Sequence, residues 1–241
     1  MIRISQFKIN VFLIIGSIAL LLFTLESVTI AQNIHRVGNF DFYTIQTIQN
    51  HISPFNTSLM ISATQLGSPV IMVLFSVLLQ LLLLKNKKYE LAIWSLATFV
   101  IGAVIINPFL KILIARPRPM FHRIVHESGF SYPSGHVIAA TLFYGMLAIM
   151  AIFYFKKIYT QITVIFIAGI LVTLVMVSRI YLGVHYPSDV IAGVLLGTAI
   201  DFFSAGIFAV NSAALHRFFQ RYTDSKNGDQ EHQESHHHLN T

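Results

Sequence analysis

The chain has 241 residues, of which 55% are hydrophobic and only 11% charged, with a formal net charge of +6 and no cysteine. A soluble domain carries about 25% charged residues, so this composition excludes an ordinary soluble fold and implies an integral membrane protein. The lack of cysteine excludes disulfides and thiolate metal sites, and basic residues dispersed over loop ends suit a membrane surface rather than nucleic acid.

The first apolar run, residues 11–25, follows Arg3 and Lys8 as a secretory signal would. The residues after it, Glu26-Ser27-Val28-Thr29, offer no small-x-small cleavage site, so the run is expected to remain as a first span. Five more apolar runs follow, giving predicted spans at 9–30, 67–84, 90–114, 136–155, 160–179 and 189–210. Roughly 20 helical residues cross a hydrocarbon core of about 30 Å. Backbone groups in lipid must pair within their own segment, which forces helices. The expected fold is therefore all-α, a polytopic membrane protein with six transmembrane helices. Residues 1–215 form one membrane domain. Residues 216–241 form a polar, His-rich tail that is expected to be disordered, with His236, His237 and His238 a poor metal site.

Orientation follows from Lys and Arg placement. Arg3 and Lys8, then Lys85, Lys87 and Lys88, then Lys156 and Lys157, then Arg217, Arg221 and Lys226 all fall on one side of a six-span plan. That side is expected to be cytoplasmic, with both termini on it. The stretch 115–135 breaks the rule by placing Arg116, Arg118 and Arg123 outside, which points to chemistry rather than topology. Between the first two spans, Phe40, Phe42, Tyr43, Ile45, Ile48 and Ile52 fit either an amphipathic helix on the membrane surface or a plain connector. Ser68 and Pro69 suit a helix cap and a first helical turn. Tyr89 and Trp94 suit an aromatic belt, and Glu26 an interfacial acid. Asp201, at membrane depth, is expected to make a structural hydrogen bond within the bundle.

Three polar clusters interrupt the apolar runs. The first runs from Lys111 to Pro119 and contains Arg116-Pro117-Arg118-Pro119. By itself it is either a snorkelling lysine with a basic interfacial loop or a phosphate clamp, with lysine as a point charge and arginine as a planar fork. The second is Tyr132-Pro133-Ser134-Gly135-His136 at the start of the fourth span. Ser134 is placed as an N-cap, and a helix start leaves amides unpaired and attracts anions. Gly135 permits close approach to the backbone, and His136 follows. An ordinary capped helix start has the same outline. The third covers residues 178–189, with Arg179, His185 and Asp189. Asp189 lies four residues beyond His185, close enough to accept from one ring nitrogen and aim the other outward as a nucleophile. A capping Asp beside an interfacial His is the alternative. All three clusters fall on the outer side under an orientation set by other residues.

In this order and spacing the clusters resemble the type 2 phosphatidic acid phosphatase (PAP2) superfamily. Its motifs correspond to Lys111 with Arg118-Pro119, to Pro133-Ser134-Gly135-His136, and to Ser178-Arg179 with His185 and Asp189. Arg116-Pro117 also reads Arg-Pro, but the family's six-residue gap after the lysine selects Arg118. The resemblance implies that His185 is the nucleophile and forms a phosphohistidine, that Asp189 orients it, and that His136 protonates the leaving oxygen. It assigns phosphate binding to Lys111, Arg118, Ser134, Gly135 and Arg179. It implies no metal and no cofactor, so that transition-state charge falls to Lys, Arg and amides.

The expected activity is hydrolysis of a lipid phosphate or pyrophosphate at the outer face of a bacterial cytoplasmic membrane. Undecaprenyl pyrophosphate ranks first. Phosphatidylglycerophosphate or phosphatidic acid is the alternative, as is phosphotransfer to an alcohol at the same site. A lipid-phosphate transporter or scaffold would leave the spacing of His185 and Asp189 unexplained. No nucleic acid and no obligate protein partner is expected. Arg123, His126, Glu127 and Tyr132 are candidates for headgroup selection, although loop solvation explains each one singly.

Overall fold

The computed structural model describes residues 5–32, 35–120 and 122–212. Every regular element among them is helical. The first four are α1 (Gln6–Gln32), α2 (His35–Gln49), α3 (Pro54–Gln65) and α4 (Pro69–Lys85). The next span, Tyr89–Ile114, combines α5 (Tyr89–Phe99), a wide π-helical stretch Val100–Ile106 and α6 (Asn107–Ile114). Then come α7 (Gly135–Tyr154), α8 (Ile158–Tyr181) and α9 (Pro187–Ser212).

Five of these segments are long and apolar enough to cross a membrane: α1, α5–α6, α7, α8 and α9. The predicted second span differs. At 17 residues, α4 qualifies only together with α3, to which it is joined by a 43° bend. The bend has local causes. Ser68 Oγ caps α4 by accepting from the Ile71 amide at 3.3 Å, and Pro69 opens the first turn. Gly67 lets the bend touch its neighbours, since a Cβ there would stand 2.8 Å from the His136 carbonyl oxygen and 2.6 Å from Val175 Cγ1. The bend is thus packed against the start of α7. The tail 216–241 lies outside the described residues.

The π-helical stretch also follows from sequence. Pro108 has no amide to donate, and its ring crowds the carbonyl of Val104 one turn back, which opens the helix. Such widened turns recur at functional sites, and this one ends at Asn107. Beyond α6, Ala115 takes a left-handed conformation, φ 48° and ψ 34°. Pro117 and Pro119 then prevent the helix from resuming.

At the centre is α7, with two thirds of its most apolar window buried, whereas little of the corresponding window of α8 is fully buried. Leu142, Met146 and Ile149 of α7 are sealed in the core. Three expectations are corrected here. Trp94 is internal rather than part of a belt: its Nε1 donates to Ser204 Oγ at 3.2 Å and its ring stacks on Phe208 at 5.1 Å. Asp201 is buried against Gly145, yet neither carboxylate oxygen has a hydrogen-bond partner. Finally, α2 is not simply an apolar face laid on a surface. Phe40, Phe42 and Tyr43 point outward, while Asp41 and Gln49 are buried along with Ile45. Its polar side chains close over the end of the bundle where the three polar clusters meet.

Candidate active site

Each cluster sits where a helix begins or ends. Lys111 lies in α6, Ser134-Gly135-His136 open α7, Arg179 lies in the last turn of α8, and Asp189 lies in the first turn of α9. His185 occupies the connection between α8 and α9. The backbone joins these ends directly, with the Ser134 amide donating to the Asp189 carbonyl at 3.0 Å. Chain positions 134 and 189 are held together by this bond.

A cavity of about 200 Å³ lies among them. Its polar end is formed by Lys111, Arg118, Glu127, Gly135, His136 and His185. Its other wall is apolar, with Pro69 and Val73 from α4 and Phe99, Ala103 and Val104 from the third span. Val73 and Val104 are also exposed on the outside of the bundle. The cavity therefore reaches the lipid-facing surface between α4 and the π-helical stretch.

His185 is almost completely buried. Its Nδ1 lies 3.3 Å from Asp189 Oδ2, and its Nε2 lies 3.2 Å from Arg118 Nη1. A guanidinium can only donate. Nε2 is therefore the acceptor, and the ring proton belongs on Nδ1 facing Asp189. Burial drives the pKa of His185 well below its ordinary value, and the nearby charges of Arg179, Arg118 and Lys111 push the same way. The imidazole is neutral, with the Nε2 lone pair on the cavity side.

Arg118 spans the loop. It donates to the carbonyls of Gly129 (3.1 Å), Val184 (2.9 Å) and Ser128 (3.2 Å). Lys111 Nζ donates to the Phe130 carbonyl at 2.8 Å. Arg179 Nη1 donates to Thr64 Oγ1 at 2.9 Å, and its Nη2 pairs with the Glu127 carboxylate. That same carboxylate lies 3.4 Å from Arg118 Nη1 and 3.8 Å from His136 Nδ1. Glu127 thus holds the position among the cations that another anion would take.

Ser134 is the N-cap residue by position, but its hydroxyl makes no cap bond. Ser134 Oγ and Arg179 Nε are buried and have no protein partner. Both can donate, which suits an anionic ligand. A Cβ on Gly135 would stand 3.0 Å from Asn107 Nδ2, so glycine keeps this wall open. Among the described residues no group of three or more His, Cys, Asp or Glu could hold a metal ion.

Of the eight residues singled out in the sequence, Lys111, Arg118, Gly135, His136 and His185 line one cavity. Asp189 stands behind His185. Arg179 joins through Glu127, and Ser134 lies beneath the α7 start. The two arginines of Arg116-Pro117-Arg118-Pro119 part company: Arg118 faces His185, whereas Arg116 turns inward to Asp41 and Asp189. Sequence reasoning missed Asp41 and Asn107. A lone acid among the apolar residues of α2 was the available signal for Asp41; Asn107, just before Pro108, gave none. Glu26 is half-buried, with one carboxylate oxygen enclosed and unpartnered. Tyr132 is sealed in, its hydroxyl 2.8 Å from Ser27 Oγ and its ring stacked on Phe23. That removes it from direct headgroup contact.

The sequence pattern of the PAP2 superfamily matches residues 92–212, half of the chain, and the chain belongs to this superfamily. It is 39% identical to phosphatidylglycerophosphatase B of Bacillus subtilis over 103 residues, 42% of this chain and 51% of that protein. It is 33% identical to undecaprenyl-diphosphatase of Sulfolobus acidocaldarius over 134 residues, 53% of this chain and 60% of that protein. The chain spans about half the length of the curated relatives it matches. Among solved structures it is similar to a transmembrane PAP2-type phosphatidylglycerolphosphate phosphatase from Bacillus subtilis. That match has a TM-score of 0.73 and 29% identity, and covers 80% of this chain and 95% of the other.

Proposed function

We propose that this chain is a membrane phosphatase that hydrolyses a lipid phosphate or pyrophosphate through a phosphohistidine on His185. The observation that carries this is the two-sided cavity: a neutral imidazole among three cations at one end, and an apolar wall open to lipid at the other. A lipid headgroup fits that polarity, with the phosphate among Lys111, Arg118 and Arg179 and the chain leaving between α4 and the π-helical stretch.

The steps follow from the residues. His185 Nε2 attacks phosphorus, and the bond from phosphorus to the leaving oxygen breaks. His136 gives that oxygen a proton. The ring of His185 becomes positive, and Asp189 stabilises it through Nδ1–H. Lys111, Arg118, Arg179, the Ser134 hydroxyl and the amides opening α7 carry the charge on the equatorial oxygens. Water then attacks the phosphohistidine as His136 takes its proton, and inorganic phosphate departs.

Undecaprenyl pyrophosphate is the first substrate we assign. Phosphatidylglycerophosphate is the second, favoured by the extent of the structural similarity to a phosphatase of that lipid. Both headgroups carry two phosphates, which suits three fixed cations. A panel of these lipids and phosphatidic acid compared by kcat/KM tests the assignment. Preference for phosphatidic acid over both would overturn it.

We assign the site to the outer face of a cytoplasmic membrane, with both termini inside, from the placement of Lys and Arg. The chain has no cysteine, so single cysteines report without background. A cysteine at Gly129 is expected to react with a membrane-impermeant maleimide in intact cells, and one at Lys87 only after lysis. The reverse pattern would invert the topology.

Glu127 is expected to compete with the ligand. In Glu127→Gln the carboxylate leaves Arg118 and Arg179 free to bind an anion, and inorganic phosphate should inhibit about tenfold more tightly, a change of about 1.4 kcal/mol. An unchanged or weaker inhibition constant would show that Glu127 does not occupy the anion position.

A further inference from the structure

Behind His185 lies a second layer of charge that the reaction above does not touch. Arg116 Nη1 donates to Asp189 Oδ1 at 2.6 Å, and its Nη2 donates to Asp41 Oδ2 at 2.7 Å. All three side chains are buried. Ser188 ties them together. Its amide donates to Asp41 Oδ1 at 2.9 Å, its hydroxyl donates to Asp41 Oδ2 at 2.8 Å, and it accepts from Arg116 Nη1 at 2.8 Å. The guanidinium also lies over the Tyr186 ring, 4.1 Å from its centre. Both oxygens of Asp189 are therefore assigned: Oδ1 to Arg116, and Oδ2 to the Tyr186 amide at 2.9 Å and to His185 Nδ1.

From this geometry we infer that Asp41 and Arg116 are positioning residues for the reaction, setting both the direction and the charge that Asp189 presents to His185. The inference rests on the proposed phosphatase function. Asp41 belongs to α2, outside residues 92–212 that match the family pattern, so the N-terminal part of the chain contributes to the site.

Two physical reasons support it. One is geometric. A planar guanidinium can bridge two carboxylates in one fixed plane, whereas a lysine ammonium on a flexible stem cannot. Arg116 thereby locks the Asp189 carboxylate against rotation. The other is electrostatic. One positive charge is shared between two negative ones, so the trio keeps a net negative charge. Despite burial, Asp189 and Asp41 together hold the Arg116 guanidinium more firmly protonated than usual. Were Asp41 neutral, Arg116 would direct its full charge at Asp189. Less negative potential would then remain for the imidazole, which becomes positive as its bond to phosphorus forms. Asp41 makes this difference only in the transition state, so its removal acts on kcat and not on KM.

The test uses the full-length protein purified in detergent, with a lipid phosphate that the wild type hydrolyses. Asp41→Asn keeps the shape and removes the charge. It is expected to lower kcat about 10–100-fold, the range for groups that orient a reacting residue from behind, with KM within about twofold. Arg116→Lys, which keeps the charge, is expected to show the same split and stands in should Asp41→Asn fail to fold. The deciding comparison is Asp189→Asn alone against Asp41→Asn with Asp189→Asn. If Asp41 acts through Asp189, the second change adds almost nothing to the first. A fully additive loss, or wild-type kcat in folded Asp41→Asn, would overturn the inference while leaving the phosphatase function intact. An inactive wild type would instead overturn that function.

Discussion

His185→Ala is expected to bring phosphate release from a lipid phosphate to background, by roughly 10⁴-fold or more, while the protein stays folded in detergent. The loss follows from Nε2, a neutral nitrogen facing the cavity, with a lone pair there and its proton fixed on the opposite ring atom by Asp189. Nothing nearby replaces it. Lys111 and Arg118 are engaged with backbone carbonyls, and His136 approaches from the α7 side. The fold survives because each partner of His185 keeps another bond. Asp189 Oδ2 retains the Tyr186 amide, Asp189 Oδ1 retains Arg116, and Arg118 Nη1 retains the Val184 carbonyl. The measurement is phosphate release per folded protein, with a melting curve run alongside. Turnover within tenfold of the wild type would reject His185 as nucleophile.

His136→Ala is expected to discriminate between substrates. General acid help contributes about 10²–10⁴-fold, but only where the leaving oxygen needs a proton. From a phosphate monoester the leaving group is an alkoxide, nearly as basic as hydroxide. From a lipid pyrophosphate it is a lipid phosphate, with a pKa of about 6. The variant should therefore lose about 10²–10⁴-fold on phosphatidic acid, and far less on undecaprenyl pyrophosphate when phosphohistidine formation is rate-limiting. Burst kinetics isolate that step. Equal losses on both lipids in the burst phase would show that His136 holds phosphate rather than supplying a proton. The second step, activation of water, is common to both substrates and would slow equally.

Much of this site was legible in the sequence because its chemistry is written in residue types and spacing. Lys111, Arg118, Arg179, His136 and His185 are polar residues at the ends of apolar runs, where charge has to be explained. Asp189 was legible because four residues along the chain is one helical turn. The roles of the two arginines in residues 116–119 were separable only by the family's gap length; nothing in Arg116 itself said that it would turn inward. Asp41 was illegible for a different reason. It lies 75 residues from Arg116 and 147 from Ser188, and its own helix reads as a loosely amphipathic connector. Trp94 was misplaced because a tryptophan near a predicted span end suits an interface, yet Ser204 and Phe208 of α9 enclose it. Hydropathy placed the second span at 67–84, close to α4, but could not show that Gly67 lets the bent pair of α3 and α4 pack against His136 and Val175.

By itself the sequence determined the membrane class, the helical architecture and the inventory of polar residues that the structure gathers at one end of the bundle. Each of these depends on local properties: apolar length, backbone pairing within a segment, and the chemistry of a side chain. The tertiary structure decided which groups share one cavity, which ring nitrogen of His185 faces it, that Glu127 sits among the cations, and that Asp41 and Arg116 stand behind Asp189. Those depend on distances between residues far apart in the chain, set by helix packing and by single contacts such as the Ser134 amide on the Asp189 carbonyl.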